Sequence, residues 1–198
     1  MKKKESTFIN MVGSLLVITV VAGFSLGFVN DLTIGPKATA KLKQKVNAIK
    51  LVLPEFNNNP VKDIQLLKLE NSKDSIEVYP AFLNNTFVGA AVIGRTDKGF
   101  SGLIKIMVGF KPNGDIQNIA VLEQKETPGL GTKIKGETFL KQFRGINLSS
   151  YNLNVRKDGG EIDALTGATI TSRAFCDATK MAYEVFTIKN DSLNAFEN

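Results

Sequence analysis

The segment Asp163-Ala-Leu-Thr-Gly-Ala-Thr-Ile-Thr-Ser172 places hydroxyls, a carboxylate and a glycine where a loop feeds a run with helical spacing. Two uses of these residue types are open. As a helix start, Thr169 or Thr171 accepts a hydrogen bond from a free backbone N–H, and Gly167 permits the turn. As a site, the unpaired N–H groups and positive dipole end of a helix N-terminus attract a phosphate. Gly167 and Ala168 leave room for a bulky group on the neighbouring hydroxyl, and Asp163 could position a metal or polarise that hydroxyl. Thr169 needs such help, because an unassisted hydroxyl is hardly ionised near neutral pH. Arg173 could neutralise a phosphoester from the first helical turn or be a solvated charge.

A second segment, Glu126-Thr-Pro-Gly-Leu-Gly131, taken by itself is a turn around Pro-Gly. What the chain lacks restricts the chemistry further. It has no histidine, which excludes His general bases, His-ligated haem and His-containing zinc sites. Its one cysteine, Cys176, allows neither an intrachain disulfide nor an iron–sulfur cluster and is read as a buried small residue. No catalytic residue and no metal site is expected, so redox chemistry would need an organic cofactor. The net charge is +6, of which +4 remains once residues 1–30 are set aside. That charge is scattered, which argues against nucleic acid as a partner.

The elements that must position these residues can be read in order. From Phe8 to Val29 there is no charge, and only Asn10, Ser14, Thr19 and Ser25 are clearly polar. About twenty residues at about 1.5 Å each span roughly 30 Å, the thickness of a bilayer core. A cleaved signal sequence has a shorter apolar stretch ending at a small-x-small site. Here Phe24, Leu26 and Phe28 keep the stretch apolar to its end, which favours an uncleaved anchor over residues 8–29. Lys2, Lys3 and Lys4 precede it and put residues 1–7 in the cytoplasm and everything after Asp31 outside. Asn10, Gly13 and Ser14 suit packing against other spans, and are also tolerated in an isolated one.

Residues 30–75 are expected to be a membrane-proximal helix and linker, with a helix over 36–53 that uses Pro36 in its first turn. Strands are expected at 76–82, 87–94, 102–110 and 116–122, the last two joined through the turn Lys111-Pro-Asn-Gly-Asp115. A helix over 136–143, a strand over 151–156 and a last helix over 171–187 follow. The fold class is α+β: one transmembrane helix, then a single domain over 76–190 with an antiparallel sheet and flanking helices, and a tail over 191–198.

Asp163-Ala-Leu-Thr-Gly-Ala-Thr169 resembles the flavinylation motif of the FMN-binding domain family, Asp-x-x-Ser/Thr-Gly-Ala-Thr. The resemblance implies FMN carried covalently on Thr169 through a phosphoester, installed from FAD by a separate magnesium-dependent flavin transferase. Asp163 matches the acidic residue that assists the transfer. Glu126-Thr-Pro-Gly-Leu-Gly131 is similar to the family loop that lies against the isoalloxazine ring. The implied ring contacts are Glu126, Thr127, Leu130 and Gly131, with Leu165 and Thr166 on the motif side beside Gly167 and Ala168.

Gly99-Phe-Ser-Gly-Leu-Ile-Lys-Ile-Met-Val-Gly109 and Leu122-Glu-Gln-Lys-Glu126 resemble the G subunits of Rnf complexes, ion-translocating ferredoxin:NAD oxidoreductases of bacterial membranes. This implies an electron-carrying subunit without stand-alone catalysis, partnered by other membrane subunits and located on the extracytoplasmic side of the cytoplasmic membrane. The alternatives are the C subunit of a sodium-pumping NADH:quinone reductase, which has a Gly-Leu-Trp segment near Gly99, and a membrane-tethered FMN-binding regulatory or scaffold module. This chain has no tryptophan. Gln124 stands where many relatives have histidine, and residues 37–75 match no named segment.

Overall fold

The computed structural model describes residues 7–68 and 75–194. Lys2, Lys3 and Lys4 and the end of the expected tail lie outside the described residues. The chain parts into two compact units, Met1–Lys43 and Gln44–Asn198. Helix α1, Phe8–Val52, contributes to both. In the first unit its apolar side chains are exposed along their length, and the helix is long and apolar enough to cross a membrane. The separate helix expected to start at Pro36 is instead part of α1, which runs through that residue. Proline removes one N–H and crowds the carbonyl four residues back, a local cost that long helices absorb as a kink.

The second unit is built on a five-stranded antiparallel meander: β1 Gln65–Lys68, β2 Ser75–Leu83, β3 Thr86–Gly99, β4 Gly102–Phe110 and β5 Ile116–Gln124. Strand β1 is an edge strand within residues 30–75, where only a membrane-proximal helix and linker were expected. The turn between β4 and β5 closes as its sequence implies, with the Lys111 N–H on the Asp115 carbonyl at 2.9 Å and the Gly114 N–H on that of Lys111 at 2.9 Å.

Both faces of the sheet are covered, which explains why β3 and β4 read as nearly continuous apolar runs. Successive side chains of a strand point to opposite faces. Val78, Val92, Ile106, Val108 and Phe110 face one core with Phe175, Ala178, Ala182 and Phe186 of helix α3, Thr169–Asn194. Tyr79, Ala91, Ile93 and Met107 face a second core with Ala48, Ile49 and Val52 at the end of α1. Glycines let a helix backbone lie close to each face. A Cβ on Gly94 would stand 2.1 Å from the Ala178 carbonyl oxygen, and one on Gly109 would stand 1.9 Å from that of Val52.

On the α1 side, one polar cluster is built into this packing. Lys45 meets Glu77 at 2.6 Å, and the fully buried Tyr79 hydroxyl donates to the same carboxylate. Burial pushes the Glu77 carboxyl up, but the hydrogen bonds from Lys45 and Tyr79 and the charges of Lys45 and Lys105 outweigh it and hold it below the ordinary range.

Two expected elements are corrected. Residues 136–143 form no continuous helix: a 3-10 turn, Gly131–Lys135, precedes a single α turn α2, Glu137–Leu140, and a further 3-10 turn, Lys141–Phe143. Gly136 is extended at φ −76° and ψ 141°, which separates the first two. Residues 151–156 do not join the sheet. Val155 makes an isolated parallel bridge to Ile162, and Arg156–Asp158 is a 3-10 turn. The buried apolar Leu153 and Val155 alternate as in a strand. Asn152 and Asn154 between them satisfy polar groups locally, Asn152 Nδ2 donating to the Gly159 carbonyl at 3.0 Å and Asn154 Nδ2 to Asn152 Oδ1 at 2.8 Å.

Two expectations follow for the detergent-solubilised full chain. Gly109→Ala overpacks the α1 contact and lowers stability by about 1–3 kcal/mol, whereas Gly13→Ala, whose added carbon meets nothing within 4 Å, leaves the thermal midpoint in place. The lowered Glu77 carboxyl contributes stability above the ordinary carboxylate value of 4.5 and loses it as pH falls through the folded value. Thermal melts between pH 3 and 7 should therefore show a flatter acid limb for Glu77→Gln than for wild type.

Candidate functional site

The site is assembled where three backbone turns meet. Strand β5 leads into Lys125-Glu126-Thr127, whose course is fixed by the Glu126 N–H donating to Gln124 Oε1 at 2.6 Å. The loop then closes on itself: the N–H groups of Leu130 and Thr132 both bond the Thr127 carbonyl, and the Gly129 N–H reaches Thr132 Oγ1 at 3.0 Å.

The Glu126 side chain turns inward and is only 3% exposed. Its Oε1 accepts the Ser101 N–H from the β3–β4 turn at 3.0 Å, and its Oε2 accepts the Thr171 hydroxyl from the start of α3 at 2.6 Å. Hydrogen bonds to an ionised acceptor contribute about 1.5–3 kcal/mol each, and they offset the penalty of removing a carboxylate from water. The fit around it is tight. A Cβ on Gly131 would come within 2.7 Å of Glu126 Cβ and 2.9 Å of Thr171 Oγ1.

Helix α3 is held at its start from behind as well. Phe175 packs on Phe139 and Phe143, the three rings lying 5.0–5.3 Å apart between centroids. The turn before α3 uses Gly167 at φ 74°. Ser172 ties it to the helix, its hydroxyl accepting the Leu165 N–H at 3.0 Å and donating to the Ala168 carbonyl at 3.0 Å. The hydroxyls of this segment thus have different fates. Those of Thr171 and Ser172 are buried and bonded, Thr166 is exposed, and Thr169 is half-buried with its hydroxyl in no hydrogen bond among the described residues. The capping role expected of Thr169 or Thr171 is corrected: neither accepts from a helix N–H, because Thr171 is turned toward Glu126.

Thr169 stands at the rim of an open cavity of about 350 Å³. Glu126, Thr127, Leu130 and Gly131 form one wall, and Gly167, Ala168, Thr169, Ile170 and Thr171 the other, with Phe100 at the mouth. Three large apolar residues around it are unusually open, Phe100 at 67%, Leu130 at 44% and Ile170 at 47%. The N–H groups of Thr169, Ile170 and Thr171 begin the helix and have no backbone acceptor among the described residues. An apolar slot beside free helix N–H groups and an open hydroxyl can take a flat aromatic ring and a phosphate together.

Other expected residues lie elsewhere. Leu165 leans on the core, Thr166 is exposed, and neither walls the cavity. The Asp163 carboxylate pairs with Arg156 at 2.8 Å and makes no hydrogen bond to the Thr169 hydroxyl among the described residues. Arg173 grips Asp158 through both carboxylate oxygens at 2.7 Å, and that hydrogen bonding and charge hold the Asp158 carboxyl below its ordinary range. Among the described residues no group of His, Cys, Asp and Glu side chains could hold a metal. Phe100 and Ile170 line the site without having been singled out, and Thr171, expected only as a cap, lines it too. Phe100 had a legible signal, an aromatic residue at a Gly-Phe-Ser-Gly turn where no core can cover it.

Residues 99–184 match the family model of the FMN-binding domain, and this span contains every wall of the cavity. The fold and site thus define a flavin-binding domain. Relatives along nearly the whole chain are more specific. The chain is 31% identical over 183 residues to the G subunit of the Na(+)-translocating ferredoxin:NAD(+) oxidoreductase complex of Acetobacterium woodii, covering 87% of this chain and 88% of that one. It is 32% identical over 192 residues to the G subunit of the ion-translocating oxidoreductase complex of Vibrio atlanticus, covering 91% and 92%. The chain belongs to the family of G subunits of the ion-translocating oxidoreductase complexes. A crystal structure of NqrC from Shewanella oneidensis shares the fold, at a TM-score of 0.50 and 22% identity over 67% of this chain and 69% of that one. The family and the long apolar helix together make the chain a membrane-associated protein.

The lone thiol offers a check on the packing of α3. Cys176 is 2% exposed, and burial pushes it up to about 12. Iodoacetamide at pH 8 should leave it unmodified in the folded chain and alkylate it fully in denaturant, as read by intact mass.

Proposed function

We propose that this chain is the electron-carrying subunit of a membrane-bound, ion-translocating oxidoreductase complex of Rnf type, with FMN held as a phosphoester on Thr169. The observation that carries the reading is the state of Thr169 itself: an unbonded hydroxyl at a helix N-terminus, on the rim of an apolar cavity. FMN, once bound, supplies a ring that takes up and releases electrons singly or in pairs, and the protein supplies binding, orientation and electrostatics.

The residues divide this work. The first-turn N–H groups and the α3 dipole favour the phosphate. Gly167 and Ala168 keep bulk away from the ester. Leu130, Ile170 and Phe100 offer apolar surface to the ring, and Glu126, Thr127 and Gly131 close the opposite wall. Leu165 and Thr166 shape the turn rather than the slot. In the attachment, the Thr169 oxygen bonds to the FMN phosphorus of FAD, the pyrophosphate bond breaks, AMP leaves and the hydroxyl proton is lost. No side chain among the described residues hydrogen-bonds that hydroxyl, so its activation is assigned to a separate flavin transferase. Asp163 and Arg156, both exposed, are presented to that enzyme. Residues 8–29 anchor the chain with its N-terminus inside and the flavin domain outside the cytoplasmic membrane, where other subunits of the complex are its partners.

The test is denaturing electrophoresis with ultraviolet fluorescence and intact mass on protein from the native host. Wild type should give a fluorescent band heavier than the chain by one FMN less one water, and Thr169→Ala should lose both signals. An unmodified wild-type chain in cells with a functioning transferase would sink the electron-carrier reading.

A further inference from the structure

Glu126 is braced so well that its charge needs a reason. The two contacts it makes, with the Ser101 N–H and the Thr171 hydroxyl, could be made as well by glutamine. The amide oxygen would accept from Ser101 and the amide nitrogen would donate to Thr171 Oγ1. Glutamine would also avoid the cost of burying a charge without a counterion. No cation pairs with Glu126 among the described residues; Lys45, Lys98, Arg144, Arg156 and Arg173 each pair with another carboxylate. Lys125 and Lys133, nearby in sequence, are exposed. Gly99 and Gly131 pack closely against the carboxylate, so that an added Cβ on either would stand 2.7 Å from a Glu126 atom. Among the described residues it is therefore a buried carboxylate with no cation partner, in the wall of the cavity.

We propose that Glu126 holds the reduction potential of the flavin low. The inference rests on the reading of the cavity as the FMN site. When an oxidised flavin ring gains two electrons and one proton, it gains one net negative charge. A carboxylate fixed in the wall repels that charge, and the repulsion is poorly screened where water is displaced. Glu126 thus favours the oxidised form and makes the reduced form a stronger donor. Thr171 moderates the effect, since its hydroxyl points the positive end of an O–H dipole at Oε2.

Anaerobic spectroelectrochemical titration of the flavinylated full chain in detergent, reduced by dithionite with mediators, measures this directly. Glu126→Gln should raise the midpoint by at least a tenfold change in the oxidised-to-reduced ratio, about 30 mV for a two-electron couple. Glu126→Asp should restore most of the low potential. Thr171→Val, which keeps the charge and removes a donor, should lower the midpoint below that of wild type. General loosening of the site would move Gln and Val variants in the same direction, so a shared upward shift overturns the proposal, as does an unchanged midpoint in Glu126→Gln. If Glu126→Gln does not fold or load flavin, Thr171→Val decides alone: a midpoint at or above wild type overturns the proposal and one below it supports it. A wild-type chain without flavin would instead refute the FMN reading, so the two failures are distinct.

Discussion

The start of helix α3 is where it is because a buried carboxylate has to be satisfied. Glu126 is cut off from water, so each of its oxygens needs a donor, and the two available come from distant parts of the chain: a backbone N–H in the β3–β4 turn and a hydroxyl in the first turn of α3. Meeting that requirement draws three turns to one point and orients the first helical turn outward. The exposure of Thr169 follows from the burial of Thr171. On a helix, residues two apart point in nearly opposite directions, so turning Thr171 into the core at Glu126 turns Thr169 away from it, toward the rim of the cavity.

The rest of the domain supplies rigidity to that arrangement. The sheet is packed on both faces, and at Gly94 and Gly109 it lets helix backbone come nearly into contact, so neither covering helix can slide without a clash. The cluster of Phe139, Phe143 and Phe175 fixes α3 from behind while Glu126 fixes it from the front. A site made of loops thereby gains the precision of secondary structure. Its apolar fringe of Phe100, Leu130 and Ile170 stays open, which a packed core would not permit.

The charged residues near the site are sorted with the same economy. Arg173 and Asp163, both near Thr169 in sequence, are turned to Asp158 and Arg156. These exposed pairs stitch the 156–163 loop to its neighbours and leave the cavity wall with one fixed charge, that of Glu126. A flavin in such a wall sees apolar surface, helix N–H groups and a single carboxylate, a simple field in which one residue can dominate the potential.

Sequence alone determined a good deal. Hydropathy marked the α1 span, short apolar runs bounded by turn signals marked β2 to β5, and the Pro-Asn-Gly turn fixed the β4–β5 hairpin, because each is a local pattern with a local cause. The two motifs identified the family and pointed to Thr169 and to the 126–131 loop. Local pattern failed where tertiary satisfaction replaces local propensity: the strand expected at 151–156 is an asparagine-braced loop, Pro36 lies inside a helix, and β1 exists only because β2 offers it an edge. Which hydroxyl is free, that Glu126 braces rather than lies open, and that Phe100 and Ile170 complete the cavity are matters of tertiary structure. They depend on donors and surfaces brought together from residues 25 to 45 positions apart, and burial of a charge is a property of the assembled fold that no stretch of sequence carries by itself.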